Sequence, residues 1–428
     1  MFKKSVLSLA LITTIAACGS SSDDSEKVET LPSVATSSTF TVIDGYLSNA
    51  SVCVMLAAGG DCTAIGKTNA EGEIEIEAKY DGYTVVASVI AGETTDSDKA
   101  GFVGHSYEMR SAEGSSVVTP YTTLAALDDT KSLADIASEL NLTPAVVAGD
   151  YIAENDAKAH LIARTLANRL DADYGKADST ALLETAKMAS TYIDTDLANI
   201  DEDLSNVVIN VGEGNKLTHK ARIASIADFL EDADQTTPRY MASLNESWFK
   251  SEGISSVSFV DGNIYIEGRL LGSYTIEANT LVITGDGSDE FIYLSDEFAL
   301  TVPNQGDMNV IAMADLATAK TDFTQKAVEG SSWYYVADDS GNGKIDIMSA
   351  TFHFKTDTVT GFLDGKEIDY DYAIENGKIV IPSIDVEFKY ITGNEEAVVI
   401  DDGFGKMALL VADNNLANRI VAKWAIAK

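Results

Sequence analysis

Residues 274–283 read YTIEANTLVI, and residues 372–381 read YAIENGKIVI. In both stretches a Tyr-x-Ile-Glu segment is followed, after a short polar break, by a second run of apolar residues. That pattern is typical of two short strands joined by a tight turn. Apolar and polar residues alternate around both stretches. The sequence therefore predicts two copies of an antiparallel β unit, at 244–303 and 328–428, with a linker or short helix at 304–327.

The repeat extends to three pairs of aromatic residues, which we align as Trp248 with Trp333, Phe259 with Phe352, and Phe291 with Phe388. The larger offset after the tryptophans predicts an insertion after Trp333. Each unit resembles the lipocalin-like β units of bacterial lipoproteins. This resemblance implies small barrels or a sandwich, and the two units could form one barrel or two.

The predicted insertion, residues 338–346, reads DDSGNGKID. Its spacing matches the first nine positions of an EF-type calcium loop, whose alternate side chains converge on one cation. The expected Ca²⁺ ligands are Asp338, Ser340, Asn342, the carbonyl of Lys344, and Asp346. Position 12 is Ser349 instead of Glu, so we expect weak binding. The alternative is a hairpin turn that binds no ion.

The N-terminus, MFKKSVLSLALITTIAAC, has two lysines, a short apolar segment and small residues before Cys18. It resembles the lipobox of bacterial lipoproteins, which implies a signal peptide at 1–17 and lipid on Cys18; the alternative is a plain secretory signal. Residues 18–39 are small and polar, as in a flexible tether. Gly19 after the cysteine favours the outer membrane in such lipoproteins. The expected partner is therefore the membrane, through the lipid anchor.

Residues 40–118 contain short alternating strands separated by Gly, Asn and Asp, which predicts a β-sandwich. Asp44-Gly45, the segment 49–52 and the turn at 68–72 resemble a carboxypeptidase-regulatory, transthyretin-like Ig module. If Cys18 carries lipid, Cys53 and Cys62 remain as an even pair in an oxidising compartment. We therefore expect a disulfide between them.

Residues 119–243 show helical spacing, for example over 132–142 and 157–170. The segment that begins Thr119-Pro120 resembles a Thr-Pro-Leu-Thr-like linker of the same surface lipoproteins. The predicted fold class is thus multidomain and mixed. It has an N-terminal Ig-like β-sandwich, a central α-helical domain and C-terminal duplicated antiparallel β units.

The chain has 67 acidic and 30 basic residues in 428, a net charge of −37. Such a charge argues against a nucleic-acid partner, because phosphate binding needs clustered Lys and Arg. Four scattered histidines and no nucleophile or phosphate-loop motif give no catalytic residue, so we expect no enzyme. The expected function is a lipid-anchored envelope protein for adhesion, scaffolding or ligand binding, with a protein, glycan or small-molecule partner left open. The alternatives are an apolar-ligand carrier and an envelope hydrolase.

Overall fold

The structure, a computed structural model, describes ten segments of the chain. These are residues 37–56, 60–199, 203–231, 237–244, 254–285, 287–317, 322–340, 345–363, 366–403 and 407–428. Cys18 and Trp248 lie outside the described residues. None of the helices in these segments has the length and apolar character needed to cross a membrane.

Nine strands form the N-terminal part: β1 (Ser37–Val42), β2 (Leu47–Ser48), β3 (Ser51–Met55), β4 (Thr63–Lys67), β5 (Glu73–Glu77), β6 (Thr84–Val89), β7 (Thr95–Asp96), β8 (Tyr107–Arg110) and β9 (Val117–Val118). They pair mainly into two sheets, β5-β1-β9 and β4-β3-β6-β8. Strand β5 reads EIEIE, and its two isoleucines are buried while its glutamates are exposed. The period-2 alternation thus gives each strand a core face and a solvent face.

The helices that follow are α1 (Pro120–Leu127), α2 (Leu133–Glu139), α3 (Pro144–Ala148), α4 (Ala157–Ala167) and α5 (Ser179–Tyr192). Thr119 caps α1 by accepting from the Thr122 backbone N–H, and Pro120 occupies the first helical position. One apolar cluster runs from Val42 to Ile209. The N-terminal sheets and the helices therefore share a core. The predicted helical region also contains a hairpin, β10 (Val207–Val211) and β11 (Leu217–Ala221), and α6 (Ile226–Leu230).

Barrel 1 is a closed ring of eight antiparallel strands: β12 (Arg239–Ser243), β13 (Ile254–Val260), β14 (Asn263–Ile266), β15 (Arg269–Glu277), β16 (Thr280–Ile283), β17 (Gly287–Leu294), β18 (Phe298–Pro303) and β19 (Asn309–Ala312). It begins before the predicted boundary at 244, because β12 pairs with both β13 and β19. The predicted linker at 304–327 contributes β19, the strand that closes the ring.

Barrel 2 follows α7 (Gln325–Val328) and is nearly closed. Its strands are β20 (Ser332–Asp338), β21 (Ile347–Phe354), β22 (Thr358–Leu363), β23 (Lys366–Asp371), β24 (Ala373–Glu375), β25 (Lys378–Ile381), β26 (Val386–Gly393), β27 (Ala397–Asp401) and β28 (Met407–Val411). The two ends of this nine-stranded sheet, β23 and β24, flank Tyr372 in the chain. They correspond to the single strand β15 of barrel 1. The C-terminal helix is α8 (Asn414–Ala427).

The strand registers of the two barrels match. Glu277 pairs with Thr280 in barrel 1, and Glu375 pairs with Lys378 in barrel 2, so the two hairpins that define the repeat are equivalent. The two barrels also share a register shift at equivalent positions, after Phe291 in β17 and after Tyr390 in β26. The C-terminal region is thus a duplicated eight-strand meander, and each copy forms its own barrel.

These registers correct two of the sequence alignments. Tyr240 pairs with Ala312 and Tyr334 with Val411, so Arg239, not Trp248, corresponds to Trp333. Phe352 pairs with Trp333, and Val257 pairs with Arg239. The counterpart of Phe352 is therefore Val257.

The predicted insertion after Trp333 is also wrong. Residues 244–253 connect β12 to β13, and residues 339–346 make the equivalent connection from β20 to β21. The apparent insertion came from aligning Trp248, which lies in the longer of these two connections.

Each barrel has an apolar interior. In barrel 1 it includes Phe259, Leu281 and Phe291, together with Phe229 of α6. The barrel 2 interior includes Phe352, Phe388 and Leu410, together with Val328 of α7. A further apolar cluster joins the outer faces of β18, β19, β27 and β28 to α8, with Trp424 fully buried. This cluster packs the two barrels against each other.

Candidate functional site

A cleft of about 320 Å³ lies at one end of barrel 1. It is formed where β12, β16 and β18 end and where β17 and β19 begin. The turn at 304–308 between β18 and β19 forms part of its rim. Helix α6 packs against the interior from the opposite end, where Arg239 Nε at the start of β12 donates to the Phe229 carbonyl at 2.7 Å. The cleft, as the described residues form it, is therefore the mouth of barrel 1.

The lining of this cleft is mostly polar. It consists of Ser243, Ile283, Gly287, Ser288, Asp289, Pro303, Asn304, Gln305, Asp307 and Asn309. Two of these residues, Asp289 and Asp307, are carboxylates. Thr301 Oγ1 and Asn309 Nδ2 each lie 3.4 Å from Asp289 Oδ2, so both can donate only long hydrogen bonds to it.

The same positions of barrel 2 are apolar. Leu281 pairs with Asp289, and its counterpart Ile379 pairs with Phe388, so Asp289 corresponds to Phe388. Thr301 pairs with Asn309, and Ile400 pairs with Ala408. Ser243 pairs with Asn309, and Ala337 follows Val336, which pairs with Leu409. Ser243 therefore corresponds to Ala337.

Side chains of barrel 2 therefore fill the space that corresponds to the cleft of barrel 1. Phe388 stacks on Tyr335 with ring centroids 5.5 Å apart and packs edge-on against Phe352. Phe388 and Ile400 belong to the buried cluster of barrel 2. Since the backbones pair in the same register, the cleft results from the side chains that barrel 1 carries at these positions.

Sequence reasoning did not find Asp289 or Asn309. The signal was present in the repeat, but aligning Phe291 with Phe388 concealed it. The register shifts this alignment by two residues and places Phe388 over Asp289. A polar residue that replaces the core phenylalanine of the other copy would have marked the site.

A cationic side chain joins the mouths of the two barrels. Lys428 Nζ pairs with Asp307 at the rim of the cleft, and it lies 2.7 Å from Asp338 at the end of β20. Burial raises the pKa of Asp338, but the hydrogen bonds from Lys428 and Ser340 lower it overall.

Of the expected calcium ligands, Asp338, Ser340 and Asp346 are described, while Asn342 and Lys344 lie outside the described residues. Asp338 Oδ1 accepts from the Ser340 backbone N–H at 2.8 Å, and Ser340 Oγ accepts from the Asp346 N–H at 2.7 Å. These contacts make a compact hairpin end. Over the described segments, no group of three or more His, Cys, Asp or Glu side chains is arranged to hold a metal ion. Calcium here stays a prediction, and it would have to replace Lys428 at Asp338.

Cys53 and Cys62 form a disulfide with their Cα atoms 5.6 Å apart. The bond ties β3 to the residue before β4, across the hairpin expected from the sequence. It is remote in the chain from both barrels.

A buried ion-pair cluster centres on Asp98, in the loop after β7. Its Oδ2 lies 2.6 Å from His160 Nε2 and 2.9 Å from Arg164 Nε, both on α4. Arg222, which follows β11, donates to the Asp98 carbonyl at 2.7 Å. Burial raises the pKa of Asp98, but the hydrogen bond from His160 and the charge of Arg164 outweigh it and hold the pKa at about 2.

Two further buried carboxyls lie beside this cluster. Asp44 is 1% exposed, and its Oδ2 accepts from the Tyr107 hydroxyl at 2.9 Å. Burial, followed by the neighbouring charge of Asp96, raises the pKa of Asp44 well above its usual range. Burial and the charge of Asp98 raise the pKa of Asp96 as well.

The same loop reaches both barrels. His105 Nδ1 lies 3.1 Å from Glu396 Oε1 of barrel 2, and the Tyr293 hydroxyl of barrel 1 donates to Glu396 Oε2 at 3.1 Å. A Cβ at Gly104 would lie only 1.9 Å from Glu396 Oε2, so a larger residue there would displace the Glu396 carboxylate. These titratable groups contact one another where the loop at 97–106 meets helix α4 and the barrels, a region that we call the joint between modules. We therefore interpret the cluster as structural.

No protein-family model and no curated protein matches the chain. Among solved structures, the chain is similar to a crystal structure of a DUF3598-family protein of unknown function from Nostoc punctiforme PCC 73102. The match covers 41% of this chain and 92% of that chain at 10% identity, with a TM-score of 0.19. At that TM-score the similarity carries no argument about this protein.

Proposed function

We propose that this protein is a lipid-anchored, non-catalytic envelope protein that binds a small polar ligand at the mouth of barrel 1. The observation that supports the binding role is the contrast between the two copies. Ser243, Asp289, Thr301 and Asn309 stand where barrel 2 has Ala337, Phe388, Ile400 and Ala408. A polar, open cavity reduces apolar burial and so costs stability, and functional sites are where proteins tolerate such a cost.

The polar lining favours this function over the apolar-ligand carrier. A carrier needs an apolar pocket of a few hundred Å³. The interiors of both barrels instead contain packed aromatic and branched side chains. Among the described residues that line the cleft, Ile283 and Pro303 are the apolar side chains.

The hydrolase alternative needs titratable groups that converge on an accessible cleft. None of the four histidines lines the cleft. His105 and His160 contact the carboxylates of Glu396 and Asp98, and His219 and His353 are hydrogen-bonded to the hydroxyls of Tyr192 and Ser332. Binding without catalysis is therefore the simpler proposal.

The proposal also includes the location of the protein in the cell envelope and the role of its N-terminal module. Cys18 would carry the lipid, and residues 40–118 would be an Ig-like spacer. The two small sheets of this region support the spacer. In cells, Cys18→Ser should release the protein into the soluble fraction or leave the precursor uncleaved. Unchanged processing and membrane fractionation would contradict the anchor.

The binding role is tested by giving barrel 1 the side chains of barrel 2. The variant carries Ser243→Ala, Asp289→Phe, Thr301→Ile and Asn309→Ala. Purified protein lacking the lipid is screened by thermal shift against a library of small polar metabolites, and Glu277→Gln serves as a control that removes an exposed carboxylate of the same barrel. We expect stabilisation of the wild type and the control by at least one compound, with no shift in the four-residue variant.

The milder variant Asp289→Asn covers the case in which the four-residue variant does not fold. No stabilising compound, or equal shifts in all variants, would contradict binding at this cleft.

A further inference from the structure

We infer that the end of the molecule that bears both barrel mouths docks on the surface of a phospholipid bilayer. We call this end the mouth face; it comprises the strand ends and connections around the two mouths and the last turn of α8. The inference goes beyond the proposed ligand site. It rests on the proposed lipid anchor for the choice of a bilayer as the partner.

The two mouths belong to one face because the end of α8 lies between them. Lys428 pairs with Asp307 at the mouth of barrel 1, and its Nζ lies 2.7 Å from Asp338 at the equivalent end of barrel 2. The Gly306 backbone N–H, at the rim of barrel 1, donates to the Ala427 carbonyl at 2.9 Å.

Exposed apolar side chains concentrate on the mouth face. Among the described residues, eight large apolar side chains are exposed, and seven of them lie on this face. In barrel 1 they are Leu270 and Leu271, near the start of β15, which begins at the mouth. Ile426, in the last turn of α8, is 83% exposed. The eighth side chain, Leu56, belongs to the N-terminal module. Isolated exposed apolar residues are normal, but their concentration on one face marks an interaction surface.

The other four surround the mouth of barrel 2. Phe362 on β22 and Ile368 on β23 lie on either side of the turn that joins these strands at the mouth. Ile345 precedes β21, and Ile384 lies between β25 and β26. The β22–β23 hairpin is the counterpart of the β14–β15 hairpin, which carries the two exposed leucines. Both barrels therefore expose apolar side chains on the same hairpin of the repeat.

The arrangement of these side chains favours a bilayer over a protein partner. They lie on separate hairpins, connections and a helix end, whereas a stable protein interface buries about 800 Å² of one continuous surface on each partner. Lipids can pack between separate side chains, and each side chain can enter the boundary between headgroups and acyl chains by itself.

The proposed anchor keeps a bilayer within reach of this face. Residues 18–36 connect Cys18 to Ser37, the first residue of β1. A chain spans at most about 3.6 Å per residue, so this segment limits the distance from the lipid to Ser37 to roughly 70 Å. Such confinement raises the effective concentration of the bilayer surface, so a few apolar side chains are enough for docking.

The charges of the mouth face indicate the kind of lipid. Arg269 and Lys366 are exposed on the two equivalent hairpins, and Glu267 and Glu367 are exposed beside them. Paired charges of opposite sign match zwitterionic headgroups. A chain with a net charge of −37 is repelled by anionic lipid. We therefore expect docking on a zwitterionic bilayer.

The test couples the mature chain, residues 18–428, through Cys18 to a maleimide phospholipid in phosphatidylcholine–phosphatidylethanolamine vesicles. Cys18 is the one cysteine outside the disulfide, so the coupling is specific. Tryptophan is introduced by Leu270→Trp and, as the matched control on the N-terminal module, by Leu56→Trp. The fluorescence that each adds to the wild type is measured with and without brominated lipids. We expect a blue shift and strong quenching for Leu270→Trp, and neither for Leu56→Trp.

A second variant removes the apolar side chains around the probe. Adding Leu271→Ser, Phe362→Ser, Ile368→Ser and Ile426→Ser to Leu270→Trp should abolish the quenching. These side chains are exposed, so the Tm should stay close to that of Leu270→Trp.

Three outcomes would overturn the inference: no quenching of Leu270→Trp, equal quenching of Leu56→Trp, or quenching that persists in the serine variant. A blue shift of Leu270→Trp that appears without vesicles as the protein concentration rises would show a contact between copies of the chain, and would also overturn it. The chemical coupling replaces lipidation in cells. Failure of docking is therefore distinct from failure of the anchor, which the Cys18→Ser fractionation tests, and from failure of the ligand site, which the thermal-shift screen tests.

Discussion

Asp98→Asn should destabilise the protein strongly at neutral pH, because it removes the negative charge that pairs with the buried Arg164 side chain. Among the described residues, no other carboxylate lies within hydrogen-bonding distance of Arg164. Asp98 is 4% exposed and Arg164 is 2% exposed. A native pKa of about 2, against an unfolded value of about 3.9, corresponds to roughly 2–3 kcal/mol of stabilisation at pH 7. Asp98→Ala removes the hydrogen bonds as well, and breaking a buried pair costs about 3–5 kcal/mol.

The assay is urea unfolding at pH 7 of the wild type and both variants, with Asp129→Asn as a control at an exposed acidic residue. We expect the control to change the free energy of unfolding by less than about 0.5 kcal/mol. The Asp98 carboxylate is stabilised in the native state, so its contribution is present above pH 4 and is lost as the pH falls towards 2. The difference between wild type and Asp98→Asn should therefore shrink below pH 4.

A loss below about 1 kcal/mol for Asp98→Asn at pH 7 would refute this reasoning. So would a difference from the wild type that does not change between pH 7 and pH 3.

Three further predictions concern other parts of the molecule. Asp44 has a raised native pKa, so its contribution to stability is present below pH 4 and is lost as the pH rises. Asp44→Asn should therefore raise the urea midpoint more at pH 8 than at pH 4, and an equal effect at both pH values would contradict the raised pKa. Replacing Cys53 and Cys62 with serine should lower the free energy of unfolding by about 2–3 kcal/mol, and a reductant should have the same effect on the wild type but none on the variant. If the loop at 338–346 binds Ca²⁺, millimolar calcium should raise the Tm of the wild type but not of Asp338→Ala with Asp346→Ala; the same shift in both, or none in the wild type, would show that it is only a turn.

The hairpins of the repeat could be predicted because their pattern is local. Residues 274–283 and 372–381 carry the same sequence of apolar residues, turn and apolar residues, and that pattern fixes a two-strand register. Alternation similarly indicated β5. These features depend on neighbours in the chain, which a single sequence displays.

Barrel closure could not be predicted, because it depends on pairing between distant strands. Strand β12 has five residues, RYMAS, with no regular alternation, and it is defined by its pairing with β19. The cleft depends on the same long-range register. Asp289 becomes notable only when it is placed over Phe388, and the similar spacing of aromatic residues favoured a different alignment.

The joint between modules was also hidden from sequence reasoning. His105 and Glu396 are 291 residues apart in the chain, and Asp98 and Arg222 are separated by 124. In a chain with 67 acidic residues, no local feature distinguishes the carboxylates that become buried. Their burial and pairing follow from tertiary packing.

The central claim is that barrel 1, and not barrel 2, holds a small polar ligand at its mouth. The most direct measurement is the two-dimensional ¹H–¹⁵N NMR spectrum of the soluble protein during titration with the small polar compound that stabilises it most in the thermal-shift screen. Ligand at the cleft should shift the side-chain amide signals of Asn304, Gln305 and Asn309, and it should leave the backbone amides of Phe388 and Ala408 unchanged. Shifts confined to barrel 2 or to the N-terminal module, with the three amide signals unmoved, would contradict the account.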